Sequence, residues 1–414
     1  MSAGSEYDIA IVGGGMVGAS LACMLSGGPW RIAVIEAADA SAGNTPAYED
    51  RAIALSLSSR NILSAIGLWD GLAGSAAPIR TIHVCERGRF GATRFRHEEE
   101  GVEALGYVAT ARDIVMLLHR ELANRCDVSF LTPRHVVELH LTHDLARLRC
   151  EDNNGREPLD LTARLVVAAD GTESLTRKRL GIEVDIEDYG QTAVVTNVTP
   201  GVPHAFTAFE RFTPSGPMAL LPLDADRMSL VWTHRNDRVG GVLAWDDDTF
   251  LGRLQSSFGY RLGKFRKAGS RGAYPLRLVR ARRQVEGRVA LLGNAAHSLH
   301  PVGAQGFNLA LREAALLAEM LVDEVPLDGD PGDAALLRRF ERCFRSDLAR
   351  TTRFTDTLAR VFVNPWPLLK PLRSLGLVTL DAVPPLRHRF ARVGMGIQLP
   401  LPRLAAGIPL RNGQ

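Results

Sequence analysis

The sequence predicts an α/β chain in which a parallel-sheet domain is interrupted by a β-rich insert and followed by a helical segment. Three observations predict it. A short apolar strand pattern at the start of the chain runs straight into a glycine cluster and an apolar helix pattern. Two similar strand patterns, each stopped by turn residues, appear much later. Between those two, the texture changes to alternating segments broken by proline and glycine. The length of 414 residues exceeds what one core usually serves, so two to three domain-sized units are expected.

The opening reads as strand, turn, helix, strand. Residues 7–12 (YDIAIV) are apolar and β-branched, residues 16–25 are small and apolar, and residues 31–36 (RIAVIE) form a second strand ending in an acid. Later, residues 165–169 (LVVAA) and 288–292 (RVALL) have the continuous apolar character of strands covered on both faces. Residues 305–322 read as a helix. In the middle, residues 218–223 and 228–232 flank the turn Asp224-Ala225-Asp226 and predict an antiparallel, β-rich insert to which residues 78–95 add strands. The α/β domain is accordingly expected to comprise 1–71, 108–185 and 285–330. The insert takes 72–107 and 186–284, and a C-terminal helical segment takes 331–414. Within that segment 334–362 reads as a helix, and Pro365, Pro367, Pro371, Pro384 and Pro385 predict short pieces after it.

Gly13-Gly14-Gly15-Met16-Val17-Gly18 fits G-x-G-x-x-G between the first strand and helix. The first glycine permits the tight turn, the second the approach of backbone N–H groups to a pyrophosphate, and the third close packing of helix on strand. Glu36 ends the next strand, where its carboxylate suits ribose hydroxyls and repels a 2′-phosphate. A bare glycine turn is the alternative, but the flanking elements favour a Rossmann-like site for an adenine dinucleotide.

Bulk properties exclude several classes. A hydrophobic content of 46% and a net charge of +3 suit a globular protein and give no reason to expect nucleic acid as a partner. Five cysteines without a Cys-x-x-Cys pair read as reduced thiols, with no metal site expected. The first strand pattern leaves no room for a signal peptide, and no apolar run reaches the ~20 residues of a membrane span. The expected location is cytoplasmic, with any membrane contact peripheral and on the inner face of the cytoplasmic membrane. Residues 361–414 carry seven basic side chains against Asp381 alone. They read either as a solvated, packed tail or as a patch for anionic lipid headgroups, with Trp366, Leu368, Leu369, Leu372, Leu375 and Leu377 beside Lys370 and Arg373.

The segment from Gly293-Asn294 through His297, His300-Pro301-Val302-Gly303-Ala304-Gln305-Gly306-Phe307-Asn308 resembles the second flavin motif of class A flavoprotein monooxygenases, the para-hydroxybenzoate hydroxylase superfamily. Val167-Ala168-Ala169-Asp170-Gly171, followed by Ser174 and Arg177, is similar to that family's middle motif. Within the superfamily, Glu49-Asp50-Arg51-Ala52-Ile53-Ala54-Leu55-Ser56 and residues 216–222 (GPMALLP) resemble the ubiquinone-biosynthesis hydroxylases, especially the 2-polyprenyl-6-methoxyphenol hydroxylases, and Asn364 and Met395-Gly396 extend the likeness toward the C-terminus. Two departures stand out. Asn294 occupies a position that is usually aspartate, and Val302-Gly303-Ala304 places a glycine one position earlier than usual.

The resemblance implies an FAD-binding domain of the GR2 type and a cycle in which NAD(P)H reduces FAD. Oxygen then adds to give a C4a-hydroperoxide that hydroxylates an electron-rich phenol, here a polyprenylated one of ubiquinone biosynthesis. By the same resemblance, Gly13, Gly15, Met16, Val17 and Gly18 hold the pyrophosphate and Glu36 the ribose. Arg51 and Arg112 contact the flavin region. Asp170, Gly171, Gly293 and Asn294 lie along the cofactor. Pro301, Gly303, Gln305, Gly306, Phe307 and Asn308 form the loop that faces and orients the flavin ring. His300 is a candidate base or, like His297, a histidine that shapes the loop. Rival readings are a hydroxylase of a soluble phenol, a flavin reductase of a prenyl lipid, and a non-catalytic FAD-binding scaffold in a quinone-synthesis complex.

Overall fold

A computed structural model of the chain describes residues 5–38, 51–152, 155, 157–363, 369–398 and 400–410. Glu49, Asp50, Asn364, Pro365, Trp366, Pro367, Leu368 and Arg411 lie outside the described residues.

The first apolar segment forms β1 (Ser5–Val12), which passes through the glycine turn into α1 (Met16–Leu25) and returns as β2 (Ile32–Ile35). Ile9, Ala10 and Ile11 have no exposed surface, because packed residues cover both faces of the strand. The chain then forms β3 (Ala52–Ser56), α2 (Leu57–Ala65), α3 (Trp69–Ala73), β4 (Ala77–Ile79), β5 (Thr81–Glu86), β6 (Ala92–Arg96), β7 (Gly106–Thr110) and α4 (Ala111–Ala123). A run of strands follows: β8 (Val128–Leu131), β9 (Arg134–Leu141), β10 (Ala146–Asp152) and β11 (Leu159–Ala168). After α5 (Leu175–Arg179) come the long β12 (Val184–Thr199), β13 (Thr207–Thr213), β14 (Gly216–Pro222) and β15 (Met228–Arg235). Next are α6 (Asn236–Ala244), α7 (Asp247–Phe258), β16 (Lys267–Ala268), β17 (Gly272–Ala281), β18 (Val285–Glu286), β19 (Val289–Leu291) and β20 (His297–Ser298). The C-terminal part is helical: α8 (Gln305–Glu324), α9 (Ala334–Val363), α10 (Leu369–Ala382) and α11 (Pro384–Gly394).

These strands make three sheets. The first has a parallel core in the order β19, β11, β1, β2, β8, with β9 and β10 attached antiparallel through the first half of β11. The second runs β20, β17, β12, β15, β14, β13, β5, β6, with β16 also on β12. The third joins β3, β7 and β4.

The structure differs from the sequence expectation at three points. The insert's sheet is not purely antiparallel: β5 lies parallel to β13, Val84 opposite Glu210, because a strand from early in the chain is added at an edge the hairpins leave open. The segment boundaries blur at the site itself. β20, expected in the α/β domain, pairs with β17 of the second sheet, so the chain crosses between sheets at 292–297. Pro371 does not break the helix but sits in the first turn of α10, where a proline's missing N–H has no intrahelical partner to lose.

The second sheet has two apolar faces. One carries Val194, Leu220, Leu230 and Trp232 and packs on Phe250 and Leu254 of α7. The other faces the first domain across a cavity.

Candidate active site

The glycine turn is built too tightly for side chains. Gly13 has φ +103°, its N–H donates to Ile35 O at 2.8 Å, and a Cβ there would stand 2.5 Å from Ala169 O. A Cβ on Gly18 would stand 2.0 Å from Gly13 O. Gly15 caps α1 without a side-chain hydrogen bond, which leaves the first-turn N–H groups to a ligand, and Gly15, Met16 and Val17 line the cavity. Glu36 accepts from Gly14 N at 2.7 Å and from Ala38 N at 2.8 Å. Each carboxylate oxygen keeps a second lone pair for a ribose hydroxyl. His119 of α4 holds the turn from the other side, donating from Nε2 to Gly14 O at 2.7 Å. The sequence motifs gave no sign of it.

The middle motif and the second flavin motif are tied together. Arg177, buried, donates to Ala295 O at 2.8 Å and to Thr172 O at 3.0 Å, bridging the turns after β11 and β19. Asp170 accepts from Thr176 N through Oδ2, and its Oδ1 is shielded without a hydrogen-bond partner. Gly171 and Asn294 line the cavity, and the Asn294 side chain is exposed to it. Gly293 lies beneath, its N–H donating at 2.7 Å to Glu313, a carboxylate with no exposed surface. Glu313 also pairs with His297 Nε2 at 3.1 Å and accepts from Gln284. His297 stacks on Phe344 and is a support of the loop.

Pro301, Gly303, Gln305, Gly306, Phe307 and Asn308 all line the cavity. Gly303 (φ +70°) and Ala304 (φ +51°) are both left-handed, and this double turn feeds α8, which begins without a side-chain cap and so presents its free N–H groups to the cavity. Gln305 donates to Gly303 O at 2.9 Å. The Asn308 amide is fully used: it accepts from Ser56 N and Ser59 Oγ and donates to Ala54 O and Ala304 O. Its side chain therefore positions the loop on β3 and α2, leaving only its backbone to approach a flavin.

His300 corrects the reading of it as a base. It is buried behind the loop and is not among the cavity-lining residues. Its Nδ1 accepts from Val302 N at 3.2 Å, so Nε2 carries the proton, and the ring packs edge-on against Tyr189. Burial lowers it to about 4, with Asp356 opposing, so it stays neutral at physiological pH. Arg51 lines the cavity, and its Nε is shielded with no hydrogen-bond partner among the described residues. Arg112 is exposed at the start of α4, outside the cavity lining.

The cavity measures ≈ 1160 Å³ and runs from this loop across the second sheet to the C-terminal helices. Its wall is a single face of the sheet read at every second residue: Val84, Glu210, Ala219, Val231 and Val195 follow one another across five strands in register. Phe354, Leu358 and Phe362 of α9 close another side, with Phe362 stacked on Phe212 at 3.6 Å. Leu372, Leu375, Leu386 and Phe390 of α10 and α11 line the outer end and are also exposed to solvent. Polar ties hold α10 over this end: Thr93 Oγ1 donates to Leu377 O at 2.8 Å, and Arg373 pairs with Glu86 at 3.2 Å. Among the described residues, no cluster of three or more His, Cys, Asp or Glu could hold a metal ion, and no helix is long and apolar enough to cross a membrane.

An uncapped helix start, glycines that admit no Cβ, a shielded Arg51 Nε and an orphaned Asp170 Oδ1 fit a flavin dinucleotide laid between the sheets. Fold and cleft together define a flavin-dependent oxidoreductase. The FAD binding domain family model matches residues 6–345. The chain is 38% identical to the ubiquinone hydroxylase UbiL of Rhodospirillum rubrum, over 99% of this chain and 95% of that protein. It is 29% identical to the 3-demethoxyubiquinol 3-hydroxylase of Escherichia coli, over 94% and 98% of the two chains. Its fold matches the crystal structure of p-nitrophenol 4-monooxygenase PnpA from Pseudomonas putida with a TM-score of 0.77 at 18% identity, covering 94% and 98% of the two chains. The chain belongs to the FAD-binding class A flavoprotein monooxygenases and is an FAD-dependent hydroxylase that uses NAD(P)H as co-substrate.

Proposed function

We propose that this hydroxylase acts on a polyprenylated phenol in ubiquinone biosynthesis, with the ring against the flavin loop and the tail leaving between α9, α10 and α11 toward a bilayer. The observation that carries the reading is the continuous apolar cavity from Pro301 to the exposed Leu372, Leu375, Leu386 and Phe390. A soluble phenol needs no such exit, whereas burying an isoprenoid chain in it is favourable at roughly 25 cal/mol per Å². The similarity to UbiL supports the same pathway.

FAD, when bound, supplies activated oxygen at the expense of NAD(P)H. The chain's own work is placement and electrostatics. Gly13, Gly15 and Gly18 let the backbone meet the pyrophosphate, with Met16 and Val17 in the same turn, and Glu36 takes the ribose. Asp170, Gly171, Gly293 and Asn294 run beside the cofactor, with Arg51 and Arg112 at its approaches. The free N–H groups at the start of α8 stabilise negative charge on the reduced ring. The apolar walls exclude water from the reacting atoms.

The reading is tested by deleting the gene in its host and identifying the quinone precursor that accumulates by mass spectrometry. A prenylated phenol one ring oxygen short of the next intermediate is expected. An unchanged quinone pool, in a host without a second such hydroxylase, overturns the pathway assignment and leaves the flavin chemistry standing.

A further inference from the structure

Glu210 is out of place by every rule of sheet patterning. It sits in the middle of β13, on the face that lines the cavity, with Val84 opposite on one side and Ala219 on the other, and Val231 and Val195 beyond. Its own strand puts Ala208 and Phe212 on the same wall. It is the one carboxylate on that wall among the described residues. Among the described residues it has no hydrogen-bond or ion-pair partner there, although a buried charge without a partner is costly. Its side chain is reachable from inside the cavity while lying deep within the protein.

We propose that Glu210 is a catalytic residue that takes the proton of the substrate's phenolic hydroxyl and returns it once the ring has been hydroxylated. This rests on the reading of the substrate as a phenol. In the step, the phenol O–H bond breaks, its proton goes to the Glu210 carboxylate, and the oxygen's electron pair is released into the ring. The ring carbon bonds one oxygen atom of O₂ as the O–O bond breaks, and the other oxygen leaves as water, with NAD(P)H supplying the two electrons. The resulting ring ketone loses its C–H proton to solvent, and the ketone oxygen takes back the proton held by Glu210, which restores the aromatic ring.

The surroundings suit this role. Burial alone raises the Glu210 carboxyl to about 8, close to the working range of a general base at neutral pH. On β5, Cys85 feels its charge, and His83 is held near 4 by burial and by Arg261, Arg94 and Arg211. On β17, Tyr274 and Arg277 line the cavity, with Arg277 engaged by Asp188. On α10, Arg373 is paired with Glu86, and Arg51 stands on the flavin side. β14, β15 and α9 face the carboxylate's part of the wall with apolar groups and Thr233.

The test uses the full-length, FAD-loaded protein with NAD(P)H and 2-farnesylphenol in detergent micelles, following hydroxylated product by mass spectrometry from pH 6 to 10. Wild-type turnover is expected to rise through about pH 8. E210Q is expected to lose at least about 100-fold in product formation at pH 7 while keeping its FAD. It should regain activity near pH 10, where a phenol ionises unaided. E210L, which removes the buried carboxyl altogether, should retain FAD and lose hydroxylation, and E210D should keep part of it. E210Q or E210L hydroxylating at the wild-type rate with the wild-type pH profile overturns the proposal. A wild-type protein that leaves 2-farnesylphenol unmodified instead removes the prenylphenol reading, and this proposal with it.

Discussion

Glu313 accepts a hydrogen bond from Gly293 N at 2.7 Å, so a fully buried carboxylate on α8 fixes the turn that carries Asn294 to the cofactor cleft. His297 and Gln284 complete the carboxylate's partners. Replacing Glu313 by alanine strands all three donors in a dry site, which costs about 3–5 kcal/mol. E313A is expected to fall in thermal midpoint and to lose FAD on dilution, read by flavin fluorescence in the filtrate. Retention of FAD with wild-type stability would show that the turn holds itself.

Ala304 is the strained member of the flavin-facing loop. An L-residue in the left-handed region costs roughly 1–2 kcal/mol, and glycine pays almost none of it. The early placement of glycine, at 303, leaves alanine to adopt φ +51°. A304G is expected to stabilise the protein by about 1 kcal/mol, and A304V, β-branched at the same dihedral angles, to destabilise it by more than that. Thermal melts of the two variants against the parent check the sign of each.

Sequence reading reached the parts whose local pattern and final environment agree. Residues 16–25 form α1, 218–222 of the expected 218–223 fall on β14, and 228–232 fall on β15, because a covered helix and a hairpin declare themselves within ten residues. The strand β9 was not legible. The run RHVVELHL of β9 has no clean period, whereas ARLRCED of β10 alternates strictly between buried and exposed residues, the pattern of a half-buried strand, and was passed over. Glu313 was hidden because glutamate in a Leu- and Ala-rich helix reads as a helix former. Glu210 was hidden because TAFERFT alternates ambiguously. Only the pairing of β13 with β5 and β14 decides which alternate residues meet the cavity.

Stability should depend on pH in two opposed ways. Burial lowers His83, His234 and His300 to about 4 each. Below 6.5 the unfolded chain binds protons these side chains refuse in the fold, so each subtracts up to about 1.4 kcal/mol per pH unit as pH falls from 6.5 to 4. Glu210, raised from 4.5 to about 8, acts in the other sense: it favours the fold at low pH and loses that contribution as pH climbs through 8. Thermal midpoints should therefore rise from pH 4.5 to 6.5 and sag from 6.5 to 8. In E210L the sag should vanish while the acid limb stays. A parent profile that falls from pH 4.5 to 6.5, or a flat one in E210L, would mean the three histidines titrate normally in the fold.

The outer end of the cavity separates a lipid substrate from a soluble one. Leu375 lines the cavity, yet 61% of its surface is exposed, and the neighbouring Leu372 is 59% exposed. Neither belongs to the glycine turn or the flavin loop, so L375E should bind FAD as the parent does. A charge at this mouth opposes passage of an isoprenoid tail and its insertion with the protein into a bilayer. Only about two-fifths of the Leu375 surface is sheltered, so losing its apolar contact is worth roughly 0.6–1.2 kcal/mol, or about 3- to 8-fold in KM. L375E is therefore expected to raise KM for a farnesylated phenol by that factor, to leave KM for an unprenylated phenol unchanged, and to float less with anionic liposomes. Equal KM changes for the two phenols would place the tail elsewhere.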